Sequence, residues 1–130
     1  MRKVVFGGHK MFKIFAYSTF GWLVLSGILH FAIDVASQYI RGVRTPGTET
    51  TLYYGLHTSY AASLLLVGGF GVLMTAYAQP LLKHWPVTAL LATAYVIWFA
   101  IGFAFIEYRE PKIMLGIGCA LFLAMLYTSS

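Results

Sequence analysis

Residues 14–33 read IFAYSTFGWLVLSGILHFAI, twenty positions without an Asp, Glu, Lys or Arg. A helix crosses the hydrocarbon of a bilayer in about 20 apolar residues, so this stretch is long enough to span by itself. Lys10 and Lys13 bound it upstream and Asp34 bounds it downstream. The tail beyond it, DVASQYIRG, is amphipathic, and the helix is expected to run on past the bilayer core. Working outward, residues 50–82 again lack acidic or basic side chains other than histidine. Four spans are predicted, at about 11–39, 51–79, 87–107 and 113–127. Thr45-Pro46-Gly47-Thr48 is turn chemistry. Lys83-His84-Trp85-Pro86 reads as a short loop with an interfacial tryptophan, and EYREPK as the last loop. The expected fold class is an all-α integral membrane protein, a four-transmembrane-helix bundle forming a single transmembrane domain over residues 1–130.

Composition agrees: 59% of the 130 residues are hydrophobic and 10% are charged, far from the mix of a soluble domain. The formal charge of +5 comes from nine Lys and Arg against four Asp and Glu. These basic residues lie scattered between apolar runs, so no nucleic-acid partner is expected and the charge reports membrane orientation. The single cysteine, Cys119, excludes an internal disulfide and a cysteine-based metal cage. The basic start followed by an apolar run resembles a secretory signal, but no small-x-small cleavage site follows, and the segment is expected to remain as the first helix. Arg2, Lys3, Lys10, Lys13 and Lys83 flank the spans on one side; Arg41, Arg44, Arg109 and Lys112, with all four acids, flank them on the other. Both termini are therefore expected on the cytoplasmic side, with a bacterial inner membrane as the simplest location. FAIDVASQYIRG and FAIGFAFIEYRE, offset by 68 residues, hint at two parallel helical hairpins.

The stretch at residues 30–60, HFAIDVASQYIRGVRTPGTETTLYYGLHTSY, gathers two of the four histidines and two of the four acids. In span one, Thr19, Ser26, His30, Asp34 and Arg41, with Ser37 and Gln38, recur every three, four or seven residues and share a face. Polar groups facing lipid are costly, so the face should turn into the bundle. His30 and Asp34 are one turn apart, close enough for the carboxylate to hold the imidazole. The blander reading leaves Asp34 solvated at the interface. Span two repeats the pattern with Tyr53, His57, Tyr60, Leu64, Gly68, Gly71 and Thr75. Its outer half is aromatic and polar, and its inner half is small, as close helix packing requires.

Several chemistries suit such a cluster. His30, Asp34, His57 and Glu107 are metal-ligand types, although no HxxxH or ExxH pair organises them. His30 and His57 are haem-ligand types. A His30/Asp34 acid–base pair, with His57 beside it, could act on an amphipathic substrate whose anionic headgroup Arg41 or Arg44 holds. Without chemistry, the same site could bind a lipid, quinone or other isoprenoid-like molecule, walled by tyrosines, Trp98 and Phe99. An accessory subunit of a larger membrane complex, or a homo-oligomer, could instead use the small-residue stripes Gly68/Gly71 and Gly116/Gly118. All four acids fall at span ends, which argues against a proton-coupled exporter, and no catalytic signature is present. The leading expectation is a lipid or quinone site at the outer boundary. Its reactive positions are His30, Asp34 and His57, and its binding positions are Arg41, Arg44, Tyr53, Tyr60, Glu107 and Arg109. No resident metal, cofactor or reaction is assigned on sequence grounds.

Overall fold

The computed structural model describes residues 3–129, with side chains from Gly8 onward. Arg2 and the Lys3 side chain, counted in the orientation argument, lie outside the described residues. The described chain is helical and without strands. Helix α1, Lys3–His30, passes without a break into a π-helical segment, Phe31–Ser37, and a last α-turn, Gln38–Ile40. Helix α2 spans Thr48–Tyr77, a 3₁₀ turn follows at Gln79–Lys83, and α3 spans Trp85–Phe105 and α4 Glu110–Tyr127. All four are long and apolar enough to cross a membrane by length and composition.

The ends differ instructively from expectation. Helices α3 and α4 begin earlier than predicted because Pro86 and Pro111 sit in their first turns rather than in loops. Proline suits that place, since the N–H it lacks has no intrahelical partner there. The first helix ends before the Pro46-Gly47 turn, at Gly42, whose φ of 59° lies in the left-handed region. Val43 N–H donates to Gln38 O at 3.2 Å and Gly42 N–H to Tyr39 O at 3.2 Å. This pairing is the Schellman stop, and it asks for glycine at the left-handed position.

Helix α1 is the hub, lying against α2 along its length and against α4, while α3 packs chiefly on α4. The α1–α2 approach is close because glycines line both sides. A Cβ on Gly68 would lie 2.8 Å from the Val24 backbone nitrogen, and one on Gly27 2.9 Å from Ala61 O. The Gly68/Gly71 stripe is thus spent inside the chain, whereas a Cβ on Gly116 would meet nothing within 4 Å. Two indoles tie the remaining helices in: Trp22 Nε1 donates to Met114 O at 2.8 Å and Trp98 Nε1 to Ser63 Oγ at 2.9 Å. The outer face of α3 leaves Leu90, Val96, Ile97 and Phe103 exposed, a surface suited to lipid. The two segments related by 68 residues take different backbones: the first stays helical to Ile40, whereas its counterpart leaves the helix after Phe105. The antiparallel course of α1 and α2 sets the turn at residues 41–47 at the same end of the bundle as the 106–109 connection.

Candidate ligand-binding site

At that end the polar faces of α1 and α2 meet. Steps of four carry the α1 face through Ser26, His30, Asp34 and Gln38, all buried. Four residues exceed one α-turn of 3.6, so a four-residue repeat drifts around an α-helix. The wider winding of Phe31–Ser37 reverses that drift and keeps Asp34 and Gln38 beneath His30. Short π segments of this kind recur at functional sites.

His30 stands at the centre. Its Nε2 lies 2.9 Å from His57 Nδ1, and its Nδ1 lies 2.9 Å from Asp34 Oδ2. The second approach is an ion-pair contact rather than an aligned hydrogen bond, since Nδ1 meets no partner in hydrogen-bond geometry. A carboxylate at Nδ1 favours the proton there, leaving Nε2 to accept from His57. The imidazoles stack with centroids 5.0 Å apart, and Tyr60 meets the His30 ring edge-on at 4.9 Å. His57 is 2% exposed, so the inner end of the line Asp34, His30, His57 is shut away from solvent. Asp34, expected on the blander reading to be solvated, is buried instead.

A polar layer roofs this line. Tyr53 packs on the His57 ring at 4.1 Å and accepts from Gln38 Nε2 at 3.2 Å. Arg44 Nε donates to Gln38 Oε1 at 3.2 Å, and its guanidinium lies 3.3 Å from the Tyr53 ring centre, a cation–π contact. Arg44 therefore belongs to the roof. Arg41 is exposed and donates to Ser37 O at 3.3 Å.

Beside the line lies a cavity of about 520 Å³ between α1, α2 and the start of α4, in the size range of small-molecule sites. Its polar lining includes Ser26, His30, Asp34, Gln38, Arg41 and Tyr60, and its apolar walls include Leu29, Ile33, Leu64, Met114 and Leu115. Ser26 Oγ and Tyr60 Oη are buried with no hydrogen-bond partner in the protein.

The sequence-predicted residues thus divide. His30, Asp34, Arg41 and Tyr60 line the cavity, with His57, Tyr53 and Arg44 behind and above it. Glu107 and Arg109 are exposed and line nothing here; their neighbours Tyr108 and Glu110 do, together with Pro111. Sequence reasoning missed the α4 contribution, because EPK looked like loop and its proline concealed a helix start. Trp98 bonds to Ser63 rather than reaching the cavity. No protein-family model, curated protein or solved structure matches this chain.

Proposed function

We propose that this membrane protein binds an amphipathic small molecule, a lipid, quinone or other isoprenoid-like compound, in the cavity between α1, α2 and α4. Both termini then face the cytoplasm and the cavity lies near the outer boundary of a bacterial inner membrane. The observation that carries the reading is the pairing of apolar walls with buried hydroxyls, those of Ser26 and Tyr60, that have no protein partner. Unpaired polar groups at membrane depth are expensive, and a polar ligand group reaching either hydroxyl would offset that cost. Arg41, at the rim, suits an anionic or carbonyl-bearing head, while Leu29, Ile33 and Leu115 suit a chain.

The competing role of accessory subunit loses one of its motives, because Gly68 and Gly71 are occupied by α1. Native mass spectrometry of gently purified protein tests the proposal. A discrete retained mass of lipid or quinone size is expected, and it should be lost in Leu115→Trp, which narrows the cavity, and in His30→Ala. Bare protein in every preparation, with quinones and lipids added back, overturns it.

A further inference from the structure

His30, Asp34 and His57 do more than border the cavity. One ligand-type atom from each lies within 4.8 Å of the other two. Donors around a single ion, at metal–donor distances of about 2.0–2.2 Å, stand no more than about 4.4 Å apart, so modest side-chain rotation closes the three on a common centre. We propose that this cluster is a binding site for a first-row divalent transition ion of the Zn²⁺ or Fe²⁺ class, held by two imidazole nitrogens and one carboxylate.

Four observations converge on it. First, Asp34 is a buried carboxylate whose one ionic contact among the described residues is His30; Arg41 and Arg44 are engaged with Ser37 O and with Gln38 and Tyr53. A carboxylate at membrane depth needs a positive charge, and a bound cation supplies one. Second, Asp34 Oδ2 lies 2.9 Å from His30 Nδ1 without an aligned hydrogen bond, so no such bond ties the carboxylate down and it is free to turn onto an ion. Third, His30 Nε2 already faces His57 Nδ1 at 2.9 Å, so two nitrogen donors from different helices converge on one point. Fourth, the donor set suits ions that accept imidazole with carboxylate. Direct contact between the rings leaves no room for a haem between them, so the pair fits an ion and not a macrocycle. Glu107, a ligand type by sequence, is exposed and stands apart. Because His30 and Asp34 also line the cavity, the ion would border whatever occupies it. The proposal rests on the cluster and does not depend on the cavity's occupant.

The test is titration of chelator-stripped full-length protein in detergent with Co²⁺, followed by Zn²⁺ competition. One Co²⁺ per chain is expected, with visible ligand-field bands that Zn²⁺ abolishes. His30→Ala, His57→Ala and Asp34→Asn should each weaken uptake at least about tenfold, with helicity by circular dichroism retained; Glu107→Gln should bind as wild type. Absence of saturable uptake by the wild-type protein overturns the proposal whatever the variants do. So does uptake that survives undiminished in folded His30→Ala and His57→Ala proteins, since the ion would then sit elsewhere.

Discussion

Tyr60 and Ser26 show how a residue can be out of place for stability and in place for function. Each buries a hydroxyl without a protein partner, which costs about 1–3 kcal/mol. Tyr60→Phe keeps the ring against His30 and removes the orphaned oxygen. It is expected to raise the stability of the unliganded protein by about 1 kcal/mol, measured by thermal unfolding in detergent, while weakening retention of the co-purifying molecule. A Tyr60→Phe protein that is both less stable and equally liganded would mean the hydroxyl has a structural partner. Trp98 offers the contrast, since its indole N–H is satisfied by Ser63. Trp98→Phe should cost about 1 kcal/mol for the lost hydrogen bond and leave ligand retention unchanged. His30, Asp34, His57 and Tyr60 were legible from residue type and spacing, because polar groups repeating every three or four positions in a greasy helix form a stripe that must turn away from lipid. Glu107 misled for the complementary reason: composition placed it at the right end of the bundle, but not on the inward side of its turn.

Among the elements, the contact between α1 and α2 is governed by glycine. Gly68→Leu must push its side chain into the α1 backbone at Val24 and Phe20, so a loss of at least about 1–3 kcal/mol is expected. Gly116→Ala adds a methyl to open space within α4 and should be neutral or stabilise by up to about 1 kcal/mol, since glycine is a poor helix former. Thermal melts of the two variants, side by side, check the pair. Gly42→Ala forces alanine into a left-handed conformation and should loosen the end of the first helix at a cost of about 1–2 kcal/mol, visible as faster hydrogen exchange at residues 40–43. The glycine stripe of α2 was readable, but its partner was not, because small residues signal close approach without naming what approaches. The π-helical winding at Phe31–Ser37 was not readable at all. Nothing in FAIDVAS prefers wide turns, so that backbone belongs to the packing around it.

At the scale of the molecule, the proposed orientation is open to direct measurement. In a Cys119→Ser background, a cysteine at Thr48 should react with a membrane-impermeant maleimide added to intact cells, and one at Lys83 should react only after lysis; the reverse pattern would invert the topology. The four helices long and apolar enough to span, their order and their approximate limits were determined by the sequence alone, because hydropathy accumulates along the chain and an apolar run of about 20 residues favours a helix of membrane-spanning length. The gathering of His30, His57 and Asp34 into one buried line, the roof of Arg44, Gln38 and Tyr53, and the closing of the cavity by α4 were decided only by the tertiary structure. They depend on how each helix is rotated about its axis and how its backbone is wound. Those quantities emerge from packing one helix against another and are not carried by the hydropathy of any single segment.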